Sequence, residues 1–113
     1  MSQSFNSFEE FWPFYVCEHR NPKTRLFHFL GTAAIIPLFG LTLFYRPRIG
    51  FLIPVCAYGL AWVSHFFIEK NRPATFSYPL WSIIGDFKMF WLMCIGKMEK
   101  EVLRCEALRT AHR

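Results

Sequence analysis

Two stretches that lack any Asp, Glu, Lys or Arg, Leu26–Tyr45 and Ile49–Ile68, follow one another with only Arg46, Pro47 and Arg48 between them. As α-helices rising about 1.5 Å per residue, each is long enough for a hydrocarbon core of roughly 30 Å. A backbone that crosses lipid must satisfy its own polar groups, which a helix does, and so short a link turns the second helix back along the first. The sequence therefore predicts a transmembrane helical hairpin, spans 26–45 and 49–68, with its basic turn at one membrane face.

The remainder of the chain is read around that hairpin. With 113 residues there is room for one domain, and hydrophobic residues at 53% with aromatics at 19% exceed what a soluble core of this size needs. A compact soluble helical protein with an unusually aromatic core is the alternative on composition. A third apolar run, 79–96, carries Asp86 and Lys88 and is expected to span or to re-enter beside the hairpin. Near the N-terminus, Ser7 with Glu10 forms a capping box, and Phe8, Phe11, Trp12 and Tyr15 fall on one helical face. That pattern predicts an amphipathic helix over 5–20 lying in the membrane interface, bent at Pro13. Asn21-Pro22 ends it and starts the next helix. The polar tail, 97–113, reads as a solvated or headgroup-bound helix. No cleavable signal peptide is expected, so the first spans act as the insertion signal. The predicted fold class is all-α, a small multi-pass membrane helical bundle within one membrane domain, 1–113.

Net charge is +5, but the basic residues sit at the ends of the apolar runs rather than along one stripe. That placement suits anionic lipid headgroups better than nucleic acid. Cys17, Cys56, Cys94 and Cys105 show neither C-x-x-C pairing nor zinc-finger spacing, and they are read as small core residues. No phosphate-cradling glycine loop and no G-x-S-x-G elbow is present.

Chemistry concentrates on histidine. His19, His28 and His65 lie in or beside the uncharged stretches, and an imidazole taken out of water costs free energy unless it gains a partner. His19 follows Tyr15 by four residues and continues the aromatic face, while His28 follows Thr24 by one turn. The helix break between them lets the chain fold back and bring both rings to one place. His65 and Glu69, four apart, share a helix face and can bind one metal or each other. In the structural alternative, Glu69 pairs with Lys70, Arg72 or a headgroup, and His65 donates to a backbone carbonyl. Three imidazoles with Glu69 make a set suited to iron(II), zinc or manganese, with positions open for substrate or oxygen. Asp86 is a ligand, an acceptor that orients a ligand histidine, or the partner of Arg25 or Arg72, the last two ranking first. Lys88 is expected to snorkel, Met89, Met93, Met98 and Trp91 to pack or meet lipid, and His112 to be solvated.

Two segments carry a family resemblance. Phe14–Thr32 holds the H-x-N of His19-Arg20-Asn21 and the R-x-x-H of Arg25-Leu26-Phe27-His28, and His65–Asp86 holds His65-Phe66-Phe67-Ile68-Glu69-Lys70 and Pro73-Ala74-Thr75. From Phe11 to Gly96 the chain closely resembles the 2-hydroxy fatty acid dioxygenases, small multi-pass membrane proteins whose fungal member works in phytosphingosine breakdown in the endoplasmic reticulum. The resemblance implies Fe(II)-dependent α-oxidation, in which a 2-hydroxy fatty acid and molecular oxygen give a fatty acid one carbon shorter, without 2-oxoglutarate. It puts the family's histidines at His19, His28 and His65, with Glu69 and Asp86 among its recurrent acids and Asn21 in the same motif as His19. Arg25, Lys70 or Arg72 at the interface would hold the substrate carboxylate, and the acyl chain would lie in membrane lipid. The implied setting is integral and multi-pass, in a bacterial inner membrane or a membrane of endoplasmic-reticulum type. Two other classes fit the residues: a non-catalytic membrane helix module with structural histidines, and a bis-histidine haem carrier using His28 and His65.

Overall fold

A computed structural model describes residues 5–111, and among these the chain is helical with no strand. It holds α1 (Phe8–Cys17), α2 (Pro22–Phe44), α3 (Leu52–Ser64), α4 (Pro79–Cys94) and α5 (Met98–Ala111). Backbone proximity divides it into two compact units. One is Asn21–Pro73, and the other combines the described residues up to Arg20 with those from Ala74 onward.

Asn21–Pro73 is the hairpin. The Asn21 side-chain oxygen accepts from the Lys23 N–H (2.9 Å), and Pro22 takes the first helical position, where a missing N–H costs nothing. Beyond Tyr45 the chain turns through Arg46 and a 3-10 turn, Pro47–Phe51, into α3. The helices approach closely at Gly31, where a Cβ would stand 3.1 Å from the Ala57 carbonyl oxygen and 3.2 Å from Ala57 Cα. Glycine permits that approach without displacing the Ala57 backbone, which a Cβ would push back by a few tenths of an ångström. Past Ser64 the helix widens into one π turn, His65–Glu69, closed by Lys70 in the left-handed region (φ 60°, ψ 42°). Asn71 N–H then returns to the His65 carbonyl (3.0 Å). A π turn is rare and occurs frequently at functional sites, and a non-glycine residue in the left-handed region costs of order 1 kcal/mol.

Two runs, Pro22–Phe44 and Pro47–Glu69, are long and apolar enough to cross a membrane, with mean hydropathies of 1.8 and 1.7. Only 17% of each is buried. Ile36, Phe44, Phe51 and Phe67 are between 67% and 88% exposed. A core helix of a soluble domain covers such side chains; these face outward.

The other unit is built on α1. Ser7 Oγ accepts from the Glu10 N–H (3.2 Å), so the predicted cap is in place. Phe11, Trp12, Tyr15 and Val16 are buried against Met89 of α4 and Met98, Val102 and Cys105 of α5. Three expectations are corrected here. The aromatic face assigned to the membrane interface is covered by protein, because Met98, Val102 and Cys105 form an apolar stripe at helical spacing that docks on it. For the same reason α5 is not merely solvated or headgroup-bound. Cys17 and Cys105, 88 residues apart in sequence, form a disulfide, and of the two remaining cysteines Cys94 is exposed, so the reading of all four as small core residues fails. Trp12 Nε1 donates to Glu101 (2.6 Å), a second tie to α5. Gly96 (φ 73°) ends α4: its N–H and that of Lys97 close back on the Met93 and Leu92 carbonyls (3.3 and 2.8 Å), which turns the chain into α5. With 16 residues, α4 is about 24 Å long, short of a hydrocarbon core of roughly 30 Å.

Candidate metal centre

His28 sits in the second turn of α2 with Nδ1 3.1 Å from the Thr24 carbonyl oxygen. A carbonyl only accepts, so the proton is on Nδ1 and the lone pair on Nε2. Ser64 Oγ, which donates to the Ala61 carbonyl (2.6 Å), lies 3.5 Å from the same Nδ1. His65 opens the π turn, and its Nδ1 is 2.7 Å from Asn71 Oδ1, which sets the same tautomer. The two rings meet edge to face, centroids 5.0 Å apart. His19 follows α1, its own N–H bonded to the Val16 carbonyl (2.9 Å). Its Nδ1 is 2.6 Å from the Tyr15 carbonyl, and its ring stacks on the Tyr15 phenol at 4.2 Å.

All three imidazoles are at most 5% exposed. Each offers one ligand atom, and these atoms lie within 4.8 Å of one another. This group could hold a metal ion. Binding Nδ1–H to oxygen while Nε2 carries the lone pair is the usual arrangement of metal-ligating histidine, since it fixes the ring and raises its basicity. Three neutral nitrogens without a thiolate fit a borderline divalent ion that keeps further positions for oxygen ligands. The donor set thus fits Fe(II), the metal that the family resemblance implies, as it fits zinc or manganese.

Glu69 is placed differently from the three. Its Oε2 accepts the Asn21 backbone N–H (2.6 Å), because the start of α2 presents N–H groups and positive partial charge to an acid. The grouped ligand atoms are those of the histidines. Glu69 and Asn21 instead pin the last residue of the π turn to the start of the helix that carries His28. Asp86, on α4, accepts a hydrogen bond from the Tyr15 hydroxyl. Burial pushes its carboxyl up to about 7, and the Tyr15 phenol is raised well above its ordinary value, first by burial and then by the Asp86 charge. The Tyr15 ring lies over Gly85, where a Cβ would stand 3.0 Å from it.

Residues 5–98 match the family described as 2-hydroxy-palmitic acid dioxygenase Mpo1-like. The chain belongs to the Mpo1-like family. No curated protein and no solved structure matches it.

In this Mpo1-like chain the other sequence candidates differ in burial and contacts. Arg25 is buried in the first turns of α2, while Lys70 and Arg72 are exposed beyond the π turn. Lys88 is exposed, with its Nζ 4.4 Å over the Trp12 ring in a cation–π contact. His112 lies outside the described residues. The sequence reading missed Asn71 and Ser64 as supports and counted Tyr15 only as an apolar position. Asn71 is six residues from His65, a spacing that fits no α-helical face, so nothing short of the π turn reveals the pair. For Tyr15 a signal existed: a hydroxyl four residues before a histidine, in a chain with one acid inside its third apolar run.

Proposed function

We propose that this Mpo1-like protein is an integral, multi-pass membrane enzyme that carries out α-oxidation of 2-hydroxy fatty acids, with Fe(II) held by His19, His28 and His65. One observation carries the reading: three buried imidazoles, each with Nδ1 committed to an oxygen, offer ligand atoms within 4.8 Å of one another. The family description supplies the substrate class, 2-hydroxy-palmitic acid. Bound Fe(II) would supply oxygen activation and the positions that chelate the substrate's hydroxyl and carboxylate oxygens. In the net reaction the bond between the carboxyl carbon and its neighbour breaks, giving the shortened acid, carbon dioxide and water. Molecular oxygen accepts every electron the substrate loses, so 2-oxoglutarate, nicotinamide and flavin are not required.

The chain's own groups do the positioning. The Tyr15 and Thr24 carbonyls and the Asn71 amide hold the three rings in one tautomer. Asp86 anchors Tyr15, and Glu69 anchors the start of α2 through Asn21. Arg25, Lys70 and Arg72 attract the carboxylate by charge-assisted hydrogen bonds as it approaches. The exposed flanks of Pro22–Phe44 and Pro47–Glu69 lie in the bilayer, where an acyl tail arrives without entering water. A haem between His28 and His65 is disfavoured, because rings touching edge to face at 5.0 Å leave no gap for a porphyrin sheet.

The test is direct. With Fe(II), oxygen and a long-chain 2-hydroxy fatty acid, mass spectrometry should find the acid shortened by one carbon, and the unsubstituted acid should bind without turnover because it lacks the second chelating oxygen. Iron-loaded protein that shortens no 2-hydroxy acid across several chain lengths would overturn the reading and leave the non-catalytic module.

A further inference from the structure

Thr24 is fully buried, and among the described residues its Oγ1 has no hydrogen-bond partner. Thr24 is the third residue of α2, so it has no helical carbonyl one turn back to which its hydroxyl can return, as a threonine further along a helix commonly does. Thr42 does this to Leu38 (2.7 Å), and Thr110 does it to Glu106 (2.9 Å). Thr24 also stands one turn before His28 on the same face of α2, and its carbonyl receives the His28 Nδ1–H. One residue therefore orients a metal-ligating ring and keeps beside it a desolvated hydroxyl with unused donor capacity. A buried polar group in that condition destabilises the protein until something bonds to it.

We infer that the Thr24 hydroxyl donates a hydrogen bond to an oxygen of the substrate's 2-hydroxy carboxylate head group. This rests on the α-oxidation reading and adds to it a residue that touches substrate. A carboxylate or hydroxyl oxygen accepts the proton, and a charged acceptor makes the bond stronger than a neutral one. The same hydroxyl discriminates against ligands with nothing to accept it, since a site with an unmet buried donor rejects an apolar group.

Thr24→Val removes the hydroxyl and keeps the shape, and Thr24→Ser restores the hydroxyl. In the metal-free protein, Thr24→Val should raise the melting temperature, because an unsatisfied buried group is gone. In anaerobic iron-loaded protein it should weaken binding of 2-hydroxypalmitic acid by about 10-fold or more, with iron content unchanged and affinity regained in Thr24→Ser. Ser82 Oγ is likewise buried without a partner among the described residues, one turn before Asp86 on α4, so Ser82→Ala is the control: it should raise the melting temperature and leave substrate affinity alone. Unchanged affinity in Thr24→Val, or a fall in its metal-free melting temperature, would overturn the assignment while α-oxidation by the wild type still stood. A wild type that neither binds nor shortens 2-hydroxy acids would remove the underlying reading, and this one with it.

Discussion

At each of the three histidines the decisive atom is Nδ1. Two of these nitrogens face backbone carbonyls that cannot be mutated away, but His65 relies on the Asn71 side chain, so that support is open to test. Asn71→Ala should lower iron affinity by about 10-fold or more, measured by competition with a chelator, and leave the helical content intact. Wild-type affinity in that variant would mean the His65 tautomer is set otherwise. Asp86 makes a prediction about pH. Its carboxyl titrates near 7 in the folded protein against an ordinary 3.8, so between those values the folded state binds the proton more tightly than the unfolded chain does. Its contribution is fully present below about pH 4 and is lost as pH rises through 7, at about 1.4 kcal/mol per unit. Asp86→Asn should therefore gain in melting temperature relative to wild type as pH climbs across that window; parallel curves would contradict the shift. The histidines were legible in the sequence because imidazoles in uncharged stretches are costly. Tyr15 carried only an indirect signal, because one phenol in a stripe of phenylalanine and tryptophan reads as packing until its acceptor, Asp86, 71 residues away, is located.

The helices differ in how openly the sequence announces them. The hairpin is written in two uncharged runs and a basic link, and the structure extends each back to a proline, Pro22 and Pro47, because proline suits a first turn. Its close approach at Gly31 is testable against a neutral neighbour. In Gly31→Ala the new Cβ meets backbone atoms of Cys56 and Ala57 at 3.1–3.2 Å, which cannot rotate aside, so thermal unfolding should show a loss of about 1–3 kcal/mol. Gly40→Ala meets nothing within 4 Å and should be neutral or stabilising, by up to about 1 kcal/mol from helix propensity. Equal effects at the two positions would remove Gly31 as the contact point of the hairpin. The π turn was not legible, since periodicity gives His65 and Glu69 a shared face without saying that the ladder slips there and that Asn71 folds back. Nor was the role of α5: Met98, Val102 and Cys105 are too sparse among Lys, Arg and Glu to mark a docking face, and the disulfide from Cys105 to Cys17 closes over 88 residues with no local spacing to betray it.

In the proposed function, the helical runs with outward apolar side chains would serve a long apolar tail, and the buried imidazoles with their hydrogen-bonded supports would serve a polar head group. The family match over residues 5–98 spans both. Two runs long and apolar enough to cross a membrane were legible from their absence of charge; the burial of α1 was not, because an amphipathic face looks the same whether lipid or another helix covers it. The central claim is that the histidines share one metal and that it is iron. Metal analysis of detergent-purified protein prepared without oxygen addresses this most directly. The account predicts a single iron per chain, lost in each of His19→Ala, His28→Ala and His65→Ala, whereas a metal-free wild type, or full iron in those three variants, would contradict it.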